Sequence, residues 1–396
     1  MPYHRPDDRF IPLRAVNLGA ALAREAEVFG VSPDTLLGIC AALEDVIDQE
    51  LAAFEREVAE FYTAFSPDLD TQPLEDIAGA RTPAGYRELS ARLEYLLTKA
   101  NFVRLTDAQI RLAVKTANSF GLRVRLRPER LAQLAVWVRG RSHTRRRIRT
   151  WRHPWRGQER KLPVYRRLAI VTQHQGEPYV HLKLFKEIPI MDVEALLPHA
   201  DVEMTWFDRI KLVGSSASLV GSTGLKVAKL LGTIIYWSRL LWIVAFGAGL
   251  LVWRTFSGYR YACTLRDSIR TKHLYYQNLD NNAGVIHKLV SMIAQEEVKE
   301  AVLAYWFCHA GPEAPGSAEE LRGRVEAYLA KRFEIQVNFD VEDAIRTLER
   351  LGLWADRERL RVVEPAEAHR RLREHWKEGR TIGYHGERVR EKNGEA

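Results

Sequence analysis

A long apolar region in the middle of the chain constrains its fold more than any other feature. The region extends from about Leu212 to Phe256, and between Leu240 and Trp253 every residue is apolar or glycine. A helix that crosses a hydrocarbon core of about 30 Å needs about 20 such residues, and the segment from Ile234 to Trp253 has that length. The pattern therefore predicts an integral membrane protein.

Two arrangements of this region are possible. In one, Ile234–Trp253 is a single span. In the other, Leu212–Ile235 and Leu240–Phe256 form a helical hairpin that turns around Arg239. Small residues recur at steps of four in the first of these helices, which lets two helices approach closely in lipid; they are Gly214, Ser218, Ser222, Gly224, Ala228 and Gly232. We favour the hairpin, and a buried hairpin in a soluble protein is the remaining alternative.

The charge distribution predicts the orientation of the chain. Between Arg123 and Arg167 there are 16 basic and two acidic residues, in a chain whose net charge is +8. Basic residues also follow the apolar region, and basic flanks are typical of the cytoplasmic or matrix side. Since residues 1–8 contain no apolar core, no signal peptide is expected. We expect both flanking domains to be cytoplasmic at a bacterial inner membrane, or to lie at the mitochondrial inner membrane in a eukaryote.

Residues 1–206 are predicted to form an α+β domain. Apolar residues at steps of three and four predict one long amphipathic helix over Asp34–Phe65, whose acidic side is interpreted as a solvated face. Shorter helices are predicted over Tyr86–Thr98 and Asp107–Asn118. Runs of β-branched and aromatic residues then predict three strands; these are Leu134–Val138, Tyr165–Thr172 and Tyr179–Phe185.

A segment between two of these strands alternates arginine with tryptophan. Guanidinium groups bind phosphates, and tryptophan sits at lipid interfaces or stacks on bases. The candidate anion-binding residues are Arg145, Arg146, Arg147, Arg149, Trp151, Arg152, Trp155 and Arg156. Anionic lipid head groups are the favoured partner, a solvated disordered connection is the alternative, and nucleic acid is the least favoured.

Residues 261–378 are predicted to form an α-rich, winged-helix-like domain, followed by a disordered tail over 379–396. Helices are predicted over Glu296–His309, Ser317–Arg332 and Phe339–Leu351, and a β-ribbon is predicted near Leu353–Val363. The third helix has a net charge of −2, which disfavours phosphate contact. We therefore expect this domain to bind a protein partner.

A polar cluster at Asn278–His287 contains the only catalytic candidates, Asp280 and His287. An Asp with a His can serve acid–base chemistry or hold a cation, whereas Asn and Asp before Ala-Gly equally predict a turn and a helix start. The three cysteines, Cys40, Cys263 and Cys308, match no metal or redox spacing. No metal and no cofactor are expected.

Several ordered motifs within residues 3–306 resemble domain-of-unknown-function family 3754, the family of transmembrane protein 143. They are Arg5–Leu13, Leu184–Pro189, Asp192–Glu194, Leu196–Pro198, Asp208–Lys211, Tyr276–Gly284 and Glu297–Ala301. The resemblance implies two membrane helices between the central motifs and Tyr276. It implies no established activity and supplies no catalytic residues.

The sequence thus predicts an α+β membrane protein with a helical and small-sheet N-terminal domain, a two-helix transmembrane hairpin over 207–260 and a winged-helix-like C-terminal domain. The predicted function is a non-enzymatic interaction, scaffold or regulatory protein at the cytoplasmic membrane face. One alternative is an enzyme that acts at the membrane surface on a lipid or another anionic substrate. The other is membrane-tethered nucleic-acid binding.

Overall fold

The structure is a computed structural model of the chain. It describes residues 9–68, 81–110, 123–126, 130–150, 153–197, 200–203, 276–309 and 315–378, and isolated positions between 246 and 271. Those isolated positions are helical, and Phe246, Leu250 and Trp253 are exposed among them.

The described helices longer than one turn are α1 (Ala15–Ala23), α2 (Pro33–Thr63), α3 (Pro83–Lys99), α4 (Ala283–His309), α5 (Ala318–Phe333), α6 (Val341–Arg350) and α7 (Pro365–Glu378). Two of them start in the same way. Ser32 Oγ accepts from the Thr35 N–H at the start of α2, and Thr82 Oγ1 accepts from the Gly85 N–H at the start of α3. Each cap precedes a proline at the first helical position, where the missing N–H costs nothing.

The described strands are β1 (Val103–Arg104), β2 (Arg123–Leu126), β3 (Leu131–Thr150), β4 (His153–His174), β5 (Val180–Pro189), β6 (Ala200–Glu203), β7 (Asn278–Asn281), β8 (Trp354–Asp356) and β9 (Arg361–Val362). A five-stranded antiparallel sheet has the order β1-β3-β4-β5-β7. β2 pairs with β6 and β8 pairs with β9, both antiparallel.

Periodicity predicted most of these elements. The long helix and the helix at Tyr86–Thr98 are present as α2 and α3. Two predicted strands lie inside β3 and β4, and the third, Tyr179–Phe185, matches β5 apart from Tyr179. The three C-terminal helices and the β-ribbon are present as α4, α5, α6 and β8–β9. Of the helix predicted at Asp107–Asn118, Asp107–Ile110 is helical and the rest lies outside the described residues. The predicted tail, 379–396, also lies outside them.

The helices at the two ends of the chain share one core. The described residues form two compact units, one within 1–104, 134–187 and 279–396, the other within 105–133 and 188–278. In the first unit the apolar stripe of α2 packs against α4 and α7. Sheet residues such as Trp137, Val171 and Leu184 belong to the same core. The predicted domain ranges stay a prediction.

The membrane-protein class predicted from the sequence is corrected by the structure. Within the described ranges, no helix is both long enough and apolar enough to cross a bilayer. Most of the predicted hairpin, 207–260, lies outside those ranges. What the structure supports is a mixed α and β fold built on a five-stranded antiparallel sheet.

The basic segment is corrected as well. Its interpretation as a disordered connection is wrong, because residues 145–150 belong to β3 and residues 153–161 belong to β4. Only Trp151 and Arg152, between the two strands, lie outside the described residues. The segment is therefore the end of a β-hairpin.

Candidate functional site

Four charged side chains lie in the interior of the first unit, on one stretch of α4. Glu296, Glu297, Lys299 and Glu300 are each only 2–3% exposed. The helix around them is buried on nearly every side from Val298 to Trp306, so these charges have no route to bulk water. Buried charges persist only when they are paired or neutralised.

Glu296 and Lys299 hold the N-terminal segment. The main-chain N–H of Ile11 donates to Glu296 Oε1, and the carbonyl oxygen of Ile11 accepts from Lys299 Nζ. Glu296 Oε2 lies 2.8 Å from Lys299 Nζ and 3.3 Å from Arg139 Nη2 on β3. The main-chain N–H and C=O of one residue, Ile11, are thus both satisfied by buried ions, which ties the N-terminal segment to α4 and the sheet.

The neighbouring residue, Phe10, packs over β3. Its ring centroid lies 4.6 Å from the guanidinium carbon of Arg139 and 5.7 Å from that of Arg166, as in cation–π contacts. Gly140 lies under the ring with φ +64°, and a Cβ atom there would come within 2.8 Å of a ring carbon. Only glycine therefore fits this backbone conformation and this close approach.

Glu297 is the centre of a second ionic cluster. Its two oxygens lie 3.1 Å from Lys99 Nζ on α3 and 3.1 Å from Arg350 Nη2 at the end of α6. Burial alone would raise the pKa of Glu297, but these two cations lower it to about 2. Burial alone would lower the pKa of Lys99, but Glu297 and Asp343, 2.6 Å away, raise it above its usual range.

The cluster continues to both ends of the chain. Arg350 Nη2 lies 3.2 Å from Glu50 Oε2 on α2, and Glu50 Oε1 lies 2.7 Å from His375 Nε2 on α7. The prediction that the acidic side of α2 is a solvated face is therefore wrong for Glu50, which is buried. The cluster joins α2, α3, α4, α6 and α7.

Glu300 differs from the other charged residues of α4. Burial, followed by the nearby Glu296 and Asp343, raises the pKa of its carboxyl group well above the usual range. The other charged groups in the two clusters are occupied by ionic partners. Their geometry serves to hold helices together.

The structure places the catalytic candidates at the junction of β7 and α4. His287 is 69% exposed and its Nδ1 lies 2.8 Å from Glu55 Oε1 on α2. Asp280 lies against Gly284, where a Cβ atom would be 2.2 Å from Asp280 Oδ1. Asn282, with φ +47°, accepts from the Leu182 N–H and leads into α4, as the turn interpretation predicts. A catalytic role for Asp280 and His287 stays a prediction.

The two cysteines within the described residues have thiols that stay protonated at neutral pH. Burial raises the pKa of Cys40 to about 11 and that of Cys308 to about 12. Both are free; Cys308 is buried and Cys40 is half-buried. Neither is a thiolate nucleophile under these conditions.

A groove of about 560 Å³ runs beside α5. It is lined by Arg322, Gly323, Glu326, Ala327, Ala330, Gln336, Val337 and Asn338. Arg322 Nε donates to the carbonyl oxygen of Phe339 and Glu326 Oε1 accepts from its N–H, so these contacts fix one wall of the groove.

A third polar group was missed by the sequence analysis. His174 ends β4, Glu177 lies in the turn that follows, and His181 lies on β5; one potential ligand atom from each lies within 4.8 Å of the others. The signal was present as two histidines seven positions apart around a glycine-containing turn. It could have been found only by placing His174 and His181 on paired strands.

Residues 153–284 match a protein family described as "Protein of unknown function (DUF3754)". The match supports the family resemblance over about a third of the chain and does not concern transmembrane protein 143 in particular. No solved structure matches the chain.

Proposed function

We propose that this chain is a non-enzymatic interaction protein that binds anionic lipid head groups through a basic β-arm and a protein partner through its C-terminal helices. The basic β-arm is defined as residues 141–150 of β3 and 153–161 of β4. The observation that carries the proposal is that the most basic segment of the chain is built as a β-hairpin on a buried base.

The length of the hairpin supports this proposal. β3 and β4 contain 20 and 22 residues, against two in β1 and 10 in β5. Since β5 begins soon after β4 ends, it pairs with the C-terminal part of β4 and leaves the other end of the hairpin two-stranded. The base of the hairpin is fixed, because Ala135, Trp137, Ala169 and Val171 belong to the core.

The order of residues in the β-arm favours an extended anionic surface. β3 carries Arg141, Arg145, Arg146, Arg147 and Arg149, so positive charge is spread along an extended strand. Trp151 and Trp155 follow in the sequence. Tryptophan favours the head-group region of a bilayer, which supports lipid over nucleic acid as the partner.

The enzymatic alternative gains no support from the geometry. His287 is paired with Glu55, and Glu296 and Glu297 of α4 are occupied by Lys99, Arg139, Lys299 and Arg350. These three groups are therefore committed to contacts within the fold.

The lipid proposal is tested by vesicle co-sedimentation of the full chain. We expect binding to phosphatidylcholine vesicles that contain phosphatidylglycerol and not to phosphatidylcholine alone. The variant R145Q/R147Q/R149Q should weaken binding roughly 100-fold, since each basic residue near an anionic surface contributes about 1 kcal/mol. The matched control is R357Q/R359Q/R361Q, which removes three arginines from around the β8–β9 ribbon.

Three outcomes would contradict the lipid proposal. They are equal binding to neutral and anionic vesicles, unchanged binding by the β-arm variant, and an equal loss in the control. Binding of a single-stranded oligonucleotide in place of vesicles, lost in the β-arm variant, would support the nucleic-acid alternative instead.

The protein-partner proposal rests on the groove beside α5. A photo-crosslinking residue at Gly323, where a Cβ atom would meet no other atom within 4 Å, would face this groove. We expect a defined protein adduct in the native host from position 323 and none from the exposed control position Arg359. No adduct, or the same adducts from both positions, would contradict this proposal.

A further inference from the structure

We propose that His174, Glu177 and His181 form a binding site for a divalent transition metal of the zinc class. Nothing in the proposed function requires this site. The three side chains lie together where the chain passes from β4 to β5, and each offers one potential ligand atom within 4.8 Å of the other two.

The backbone builds the turn. The Glu177 N–H donates to the carbonyl oxygen of His174 over 3.2 Å, and Gly176 between them has φ +84°. This is the conformation of a type II turn, which needs a positive φ at its third residue and favours glycine there. His174 and Glu177 therefore occupy the two ends of the turn, and His181 follows on β5.

Contacts from two helices hold the turn in place. The Tyr86 hydroxyl on α3 donates to the carbonyl oxygen of Pro178 over 2.8 Å. The Tyr62 hydroxyl on α2 donates to the carbonyl oxygen of Val180 over 2.7 Å, and the Val180 N–H donates to the carbonyl oxygen of Phe65. These contacts hold the main chain between Glu177 and His181 before any ion binds, and such preorganisation favours metal binding.

The nitrogen of His181 is the strongest single indication. His181 Nε2 is buried and has no hydrogen-bond partner among the described residues. It lies 3.6 Å from Glu177 Oε2, which is longer than a hydrogen bond. Two ligands of a tetrahedral zinc ion, each about 2.0–2.1 Å from the metal, lie about 3.4 Å apart. The pair is therefore spaced like two metal ligands.

The ligand types point to the class of metal. Two imidazoles with one carboxylate suit Zn²⁺ and its neighbours Co²⁺, Ni²⁺ and Cu²⁺ better than Mg²⁺ or Ca²⁺, which prefer oxygen ligands alone. Three protein ligands also leave a fourth position for water or for a side chain of a partner. The nearby Arg81 is occupied by the ring of Tyr179 and the carbonyl oxygen of Ala64.

The test is titration of the untagged, chelator-treated full chain with ZnCl₂ by calorimetry and with CoCl₂ by visible absorption. We expect one tight Zn²⁺ per chain and the ligand-field bands of tetrahedral Co²⁺. His181→Ala and Glu177→Gln should each weaken Zn²⁺ binding by at least roughly tenfold, since loss of a second-shell partner alone costs that much. The control His287→Ala removes an exposed histidine that pairs with Glu55, and it should bind as the unmodified chain does.

The outcomes separate a built site from surface binding. Glu177→Gln is the variant least able to disturb folding, because Glu177 is 53% exposed. Without metal, the melting temperature of the Glu177→Gln variant should match that of the unmodified chain. Addition of Zn²⁺ should raise the melting temperature of the unmodified chain and of the His287→Ala control, but not that of Glu177→Gln or His181→Ala. Absence of tight binding, or equal binding by all four proteins, would overturn the proposal.

Discussion

Glu50 on α2 and His375 on α7 are 325 positions apart in the chain, yet Glu50 Oε1 lies 2.7 Å from His375 Nε2. Both side chains are buried, and Arg350 connects the pair to Glu297 on α4. The C-terminal helix is therefore joined to the N-terminal helices by ions inside the core. The interior of the first unit is both apolar and ionic.

Replacing Glu50 by alanine should destabilise the fold strongly. The change removes the carboxylate partner of His375 and one of the two buried carboxylates, Glu50 and Glu297, that contact Arg350. Breaking a buried ion pair typically costs about 3–5 kcal/mol of unfolding free energy. The free energy of unfolding measured with urea should fall by this amount. The control Glu55→Ala, which breaks the exposed pair with His287, should cost less than about 1 kcal/mol. Equal losses in the two variants would refute the distinction.

Glu297 should contribute to stability in a pH-dependent way. Its pKa is about 2 in the folded chain against 4.5 for the free group, so its contribution is present above about pH 4.5 and is lost as the pH falls toward 2. The full contribution is about 3 kcal/mol by linkage. The difference in unfolding free energy between the unmodified chain and Glu297→Gln should therefore be large at pH 7 and shrink as the pH falls through this window. A difference that does not change with pH would contradict the ionic assignment.

Glu300 should behave in the opposite way. Because its folded-state pKa is raised, the unfolded chain releases this proton first, and stability falls as the pH rises above about 4.5. Glutamine imitates the protonated carboxyl, so Glu300→Gln should be more stable than the unmodified chain at pH 7 and equally stable at pH 4.

The matched control for this change is Glu296→Gln on the same helix. Glu296 is bonded to the Ile11 N–H and lies near Lys299 and Arg139, so its neutralisation should destabilise the chain at pH 7. The free energies of unfolding of Glu300→Gln and Glu296→Gln, measured with urea at pH 4 and pH 7, test this difference. Destabilisation by Glu300→Gln at pH 7 would show that its carboxyl group is charged.

Alanine at Gly140 should be costly for two reasons. A residue with a side chain is strained at φ +64°, by about 1–2 kcal/mol, and its Cβ atom would overlap the ring of Phe10. Since overpacking costs about a further 1–3 kcal/mol, the free energy of unfolding should fall by about 2–5 kcal/mol in total. Gly30→Ala is the control, because Gly30 has φ +69° and no atom within 4 Å of a Cβ. If both variants lose the same stability, the Phe10 contact contributes nothing.

The local elements followed from the sequence because they depend on near neighbours. The steps of three and four in α2, with Ser32-Pro33 before them, predicted a helix whose observed bounds differ by one or two residues. Alternating β-branched and aromatic residues predicted the buried parts of β3, β4 and β5. The basic ends of β3 and β4 were missed because an arginine-rich sequence lacks the alternation of apolar residues that indicates a strand, and pairing between strands determines their conformation.

Two distant segments of the chain, Arg5–Leu13 and Glu297–Ala301, meet through tertiary contacts. Ile11 is held by Lys299 and by Glu296, the residue just before the second segment. Sequence periodicity does not predict a contact of that kind, because the contact depends on how the helices and the sheet pack together.

By itself, the sequence predicted α2, α3, the three C-terminal helices, the buried parts of β3, β4 and β5 and the strongly basic character of residues 123–167, because these follow from propensity, periodicity and charge. Only the tertiary structure decided which charged residues are buried and with which partners. Glu50 reads as one more acid on a polar helix face, and it becomes a core residue because α7 brings His375 against it. His174 and His181 are likewise ordinary strand residues until a type II turn places them beside Glu177. The free energy of a buried charge depends on its neighbours in space, and those are set by packing.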